Sequence, residues 1–140
     1  MQLDHFVPYL LVDDVAAASQ FYVDYLDFQP TLALDWFVSL EHRDRPEFKL
    51  DFLQRDHESV PEAIRLRPAG VVLAFVVPDV DREHARLQAA SLEIALPLRD
   101  EPGGQRRFGV LDPAGVMVEL LQITGAPTPE FLAQNPRAAT

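Results

Sequence analysis

One short phrase occurs twice in this chain, and the repetition limits the possible folds more than any other feature. Leu11-Val12-Asp13-Asp14-Val15 returns as Val76-Val77-Pro78-Asp79-Val80, each time where an apolar run ends and a helical pattern begins. Leu50-Asp51-Phe52-Leu53-Gln54 returns as Val118-Glu119-Leu120-Leu121-Gln122. A carboxylate between apolar side chains, followed by Leu-Gln, therefore closes both halves. Duplication of this kind puts matching residues in equivalent half-sites, so function is to be sought where matching positions face one shared cavity.

The local patterns fill in each half. His5 to Val12 alternates as a strand, with Pro8 favouring an edge or a bulge. Asp13 or Asp14 is placed to cap a helix by accepting its free N–H groups, and Val15, Ala18, Phe21, Tyr22, Tyr25 and Leu26 then form one apolar stripe. Strands are expected at Thr31 to Leu34, Trp36 to Glu41 and Phe48 to Gln54, the last two joined through the charged loop from His42 to Pro46. The second half repeats the order, with a strand from Gly70 to Val77, an Asp79 cap and a helix from Val80 to Ala90. Strands follow near Ile94 to Leu98, Arg106 to Leu111 and Val116 to Ile123. Asp112-Pro113-Ala114-Gly115 has the proline and glycine of a tight hairpin turn. The resulting organisation is an α+β fold of two tandem β-α-β-β-β modules, 1–54 and 70–123, with curled mixed sheets around a cavity. A proline-punctuated linker, 55–69, joins the modules, and a tail, 124–140, carries one helical turn near Pro129 to Ala133.

Composition excludes several classes of function. The chain contains no cysteine, which removes disulfides, thiolate metal sites and a cysteine nucleophile. Twelve basic against 22 acidic side chains give a formal charge of -10, unfavourable for nucleic acid or an anionic membrane and favourable for small cations. No apolar run approaches the roughly 18 residues of a membrane span, and the N-terminus lacks the basic and apolar regions of a signal peptide, so a cytoplasmic location is expected. Nucleophile-elbow, zincin, Walker and dinucleotide-binding patterns are absent. Gly103-Gly104 before Gln105-Arg106-Arg107 reads as a flexible hairpin entry, with an anion nest as the rarer alternative.

The tandem modules, the Asp-Val helix entries, Phe21-Tyr22 with Tyr25-Leu26-Asp27-Phe28, and Asp-Pro-Ala-Gly followed by Val-Met-Val-Glu-Leu resemble the vicinal oxygen chelate superfamily. It contains glyoxalase I, extradiol dioxygenases, fosfomycin resistance enzymes and bleomycin resistance proteins. In its metal-dependent members each module supplies a first-strand ligand, commonly His, and a last-strand Glu. The resemblance puts the first-strand positions at Val7 and Val72, neither able to bind a metal, and the last-strand positions at Asp51 and Glu119. Two carboxylates alone are a poor donor set for Zn²⁺, Ni²⁺ or Fe²⁺. A fallback uses His5, on the same strand face as Val7 but about 7 Å along it, with Asp51 and Glu119.

Val7-Pro8-Tyr9-Leu10 followed by Asp-Val and Phe-Tyr is closest in pattern to the bleomycin-resistance-like branch, while Glu119 and Asp27 depart from it. That resemblance implies metal-independent binding of a small cationic or aromatic ligand, antibiotic sequestration included, by a homodimer. Tyr9, Trp36, Asp51, Phe108 and Glu119 are the expected ligand-binding residues, and no cofactor is expected. The alternative is a lyase or dioxygenase with a divalent metal on Asp51, Glu119 and a displaced histidine. A third possibility is metal-free chemistry with Asp51 or Glu119 as general base. His42, His57 and His84 are expected to be solvated.

Overall fold

The computed structural model describes residues 1–134 and residue 137, and the described chain divides into two compact units. One comprises Met1–Gly70 with the short segment Asp112–Val116; the other comprises Val71–Leu111 and the chain from Met117 onward.

The first unit runs β1 (Tyr9–Val12), α1 (Val15–Tyr25), β2 (Phe28–Ala33), β3 (Phe37–His42) and β4 (Lys49–Gln54). Its sheet has the order β1-β4-β3-β2, with β1 parallel to β4 and the other pairs antiparallel. Strand alternation divides β4 between two environments. Leu50 and Phe52 are buried with Leu10, Val12, Val38 and Leu40 on the side covered by α1, so Asp51 must project from the opposite face. The helix presents Val15, Ala18, Phe21 and Tyr22 to this core, where the Tyr22 ring lies 5.3 Å from Phe52 and 6.0 Å from Phe28.

Of the two candidate caps, Asp14 is the residue that closes the helix start. Its backbone is extended and its Oδ1 accepts from the Ala17 N–H at 3.0 Å. Asp13 instead accepts from Arg55 and Arg67, and these bonds lower its carboxyl pKa. Asp27, just past α1, has a φ of 58°, the left-handed conformation usually given to glycine at a helix end and tolerated by Asp.

The second unit repeats the arrangement with β5 (Val72–Val76), α2 (Val80–Ala89), β6 (Ile94–Glu101), β7 (Gln105–Leu111) and β8 (Met117–Ile123), in the order β5-β8-β7-β6. Asp79 caps α2 through Arg82 N–H, and Ser91 has a φ of 62°, matching Asp27 in position and conformation. Val80 and Leu87 from α2 are buried with Phe108, Val110, Val118 and Leu120. A further helix, α3 (Pro129–Gln134), follows. Both sheets are mixed and open, which agrees with the α+β, two-module expectation.

The element boundaries move where pairing decides them. The first strand begins at Tyr9 rather than His5, because its pairing partner β4 meets it from Asp51 onward. The second begins at Phe28, which is buried opposite His42, and contains Pro30 on an edge, where a missing N–H breaks no ladder bond. The sixth continues past Leu98 to Glu101 in a long hairpin with β7. Its turn contains Gly104, at φ +86°, where a Cβ would collide with the Gly125 carbonyl oxygen. The end of the expected tail, at 135, 136 and 138–140, lies outside the described residues.

The turn Asp112–Val116 is held by one carboxylate. Asp112 Oδ1 accepts from the N–H groups of Ala114 and Val116, each at 2.9 Å, and Oδ2 accepts from the Tyr22 hydroxyl at 2.8 Å. Tyr22 is fully buried, and burial together with the adjacent carboxylate pushes its phenol far above the usual tyrosine range. A raised folded-state pKa means that stability is fully present below the unfolded phenol's pKa of about 10 and declines as pH rises beyond it. Tyr22→Phe is expected to cost about 1–3 kcal/mol at neutral pH, since it removes a hydrogen bond to a charged acceptor. The variant should also show a shallower alkaline loss of stability. Urea unfolding across pH 8–11, with phenolate absorbance followed in parallel, checks both.

Candidate functional site

On the face of the first sheet away from α1, Asp51 sits opposite Tyr9 of β1 and Ser39 of β3. Tyr9 and Phe37 come from the strands on either side of β4, and their rings approach to 5.8 Å across it. Asp51 is only 6% exposed, yet its carboxylate has no hydrogen-bond partner among the described residues. No fully buried side-chain N or O atom described lacks a partner, so the Asp51 oxygens keep a residual opening to solvent. The neighbouring carboxylate on this face, Glu41, is engaged: Gln29 Nε2 donates to it at 3.1 Å and Lys49 Nζ lies 3.7 Å away.

The matching residue of the second unit has a different environment. Glu119, 8% exposed, sits opposite Ala74 of β5 and Gly109 of β7. Arg107 Nη1 donates to Glu119 Oε1 at 3.0 Å, while Arg107 Nε donates to Glu101 Oε1 at 3.0 Å. Arg99 donates to the same Glu101 oxygen. The bond to Glu119 is the largest contribution holding the Arg107 pKa above the ordinary guanidinium value; the bonds from Arg99 and then Arg107 lower that of Glu101. Gly109 leaves room beside Glu119 for Met117, whose sulfur would lie 3.1 Å from a Cβ built there.

The structure redistributes the other expected site residues. Phe108 points to α2, is fully buried and meets the His84 ring edge-on at 5.0 Å, so it belongs to the core rather than to a ligand-stacking surface. The cause is alternation: Phe108 lies between Arg107 and Gly109, which occupy the open face. Trp36, in the β2–β3 loop and half-buried, stacks flat on His57 at 3.9 Å and lies 5.8 Å from Phe37. His57 is thus not simply solvated, and its Nδ1 is 2.8 Å from Ser59 Oγ. His42 packs edge-on against Phe28 at 5.3 Å. His5 is exposed ahead of β1.

Arg107 was not among the expected ligand residues, although the signal was present. The Asp112–Gly115 turn fixes the β7–β8 register and places Gly109 opposite Glu119, which leaves Arg107 as a diagonal neighbour on the same face. Phe37 could be placed beside Tyr9 only once the pairing of β3 with β4 was known.

A family model described as Glyoxalase/Bleomycin resistance protein/Dioxygenase superfamily matches residues 2–120, and the chain belongs to that superfamily. A comparison with curated proteins gave no match. Among solved structures the fold is shared with a glyoxalase/bleomycin resistance protein/dioxygenase from Nocardioides, at 22% identity and TM-score 0.74, over 92% of this chain and 89% of that one. It is also shared with a lactoylglutathione lyase from Agrobacterium tumefaciens, at 23% identity and TM-score 0.65, over 86% and 92%. A third is TioX from Micromonospora sp. ML1, at 22% identity and TM-score 0.65, over 86% and 99%.

The divalent metal used by part of this superfamily fits these residues poorly. The strand residues opposite the two carboxylates are Tyr9 and Ala74, and Val7 and Val72 lie two positions earlier; none is an imidazole. Glu119 is already bonded to a guanidinium. Among the described residues no group of three His, Cys, Asp or Glu side chains is arranged to hold a metal ion.

The Arg107–Glu119 pair is open to direct test. Arg107→Met is expected to cost about 2–3 kcal/mol, because it leaves a mostly buried carboxylate without its partner. Arg107→Met combined with Glu119→Gln should recover most of that loss. Urea unfolding of both single variants and the double variant gives the coupling, and additive effects would mean that the two side chains do not stabilise one another.

Proposed function

We propose that the protein is a metal-independent binder of small organic molecules that receives a cationic group at Asp51. The observation that carries this reading is a carboxylate only 6% exposed, without a partner among the described residues and flanked by the Tyr9–Phe37 ring pair. A poorly solvated, unpaired carboxylate is costly, and an N–H cation would offset that cost by a charge-assisted bond. The neighbouring rings would add cation–π attraction of about 0.5–2 kcal/mol. The formal charge of -10 favours approach of such a ligand.

No helix described is long and apolar enough to cross a membrane. In this proposal the protein is a cytoplasmic homodimer, and sequestration of a cationic antibiotic is one form its function would take. A metal-dependent lyase or dioxygenase is disfavoured, because Glu119 already has a cationic partner and the first-strand positions are apolar.

Trp36 is the only tryptophan and stands beside Phe37, so its fluorescence reports on this face. Titration with the planar cation proflavine should give saturable quenching. Asp51→Asn is expected to weaken binding by about tenfold or more, the scale of a charge-assisted hydrogen bond. Binding that is indifferent to Asp51→Asn would contradict the assignment.

A further inference from the structure

On the face of the second sheet away from α2, Arg107 is held by two carboxylates from different strands, Glu101 on β6 and Glu119 on β8. A guanidinium has N–H donors on all three nitrogens, and only one on Nε and one on Nη1 are engaged. Nη2 has no partner among the described residues, and because no fully buried side-chain nitrogen or oxygen described lacks a partner, Nη2 keeps an opening to solvent. Two-point restraint reduces the rotamer freedom that a long side chain would otherwise lose on binding.

We infer that Arg107 is a preorganised donor for a neutral carbonyl oxygen, such as that of an amide, ester or ketone, on a bound organic molecule. The choice of a neutral acceptor follows from charge. Arg99 and Arg107 are balanced by Glu101 and Glu119 within one connected network, on a chain whose formal charge is -10. An anion would meet no net positive field there and would add a third negative group beside two carboxylates. A carbonyl oxygen accepts from Nη2 without that penalty. In this arrangement Glu119 orients a recognition group instead of contacting the ligand itself.

The inference rests on the small-molecule-binding reading but uses a different residue and a different probe. Benzamide, with benzoate as its anionic counterpart, is titrated at millimolar concentration into protein carrying ¹⁵N-labelled arginine, and the Arg107 Nε–H and Nη–H resonances are followed. The expected result is a saturable benzamide-dependent shift at Arg107, a smaller response to benzoate, and about tenfold weaker benzamide binding in Arg107→Lys, which cannot present the same planar fork. Glu101→Gln, which releases one restraint, should weaken benzamide binding while leaving the guanidinium in place. An unperturbed Arg107, a stronger response to benzoate than to benzamide, or unchanged benzamide binding in Arg107→Lys would overturn the inference. Proflavine is titrated into the same variants. Its failure to bind the wild-type protein would contradict the Asp51 reading, and a benzamide response at Arg107 would still distinguish that failure from failure of the present inference.

Discussion

Strand alternation under the two helices is the constraint on which the candidate site depends. Leu50 and Phe52 are buried beneath α1, and Val118 and Leu120 occupy the same positions in the second unit. Because side chains on a strand repeat every two residues, burying these pairs forces Asp51 and Glu119 onto the faces away from the helices. A one-residue slip in β4 would drive a carboxylate into the aromatic cluster of Tyr22, Phe28 and Phe52 and expose the apolar side chains. The position of both acids is therefore enforced by the hydrophobic cores, with no requirement for a ligand to hold them there.

The two equivalent positions lie in different chemical environments. Asp51 has no hydrogen-bond partner among the described residues, whereas Glu119 has a guanidinium within hydrogen-bond distance. Glycine at 109, directly across from Glu119, keeps that part of the face low and lets Met117 lie over it. In the first unit the corresponding cross-strand neighbour of Asp51 is Ser39, and Phe37 and Tyr9 supply rings instead of a cation. One half thus presents an acid among aromatic rings and the other a restrained cation. An unpaired carboxylate and a two-point-restrained arginine are different electrostatic environments, and neither resembles an imidazole-rich metal half-site.

Much of this was legible in the residues. The repeated phrases mark the helix starts, and Asp14 and Asp79 are the residues that cap them. Asp112-Pro113-Ala114-Gly115 forms the expected turn, with Gly115 at φ +83°. The choice between Asp13 and Asp14 was not legible, since it depends on Arg55 and Arg67 reaching Asp13 from distant sequence. Phe108 was misplaced because an aromatic residue on a strand looks the same whichever face it occupies, and only the register fixes the face. Nothing local in the sequence reveals that His57, expected to be solvated like His42 and His84, lies flat on Trp36 or that His84 meets Phe108. Arg107 required the hairpin register to be carried across to β8, a non-local step that composition and periodicity do not supply.

Glu119 is bonded to Arg107, and the proposed binding of a cationic ligand at Asp51 requires no metal. The most direct measurement is elemental analysis of untagged protein purified without chelator, followed by thermal unfolding with and without added Zn²⁺, Ni²⁺, Mn²⁺ or Fe²⁺. The account predicts no stoichiometric metal and no appreciable change in Tm. A specifically bound ion at a hundred times its Kd would stabilise the fold by about 2.7 kcal/mol, enough to be seen. Stoichiometric metal, or a rise in Tm of several degrees that disappears in Glu119→Ala, would contradict it.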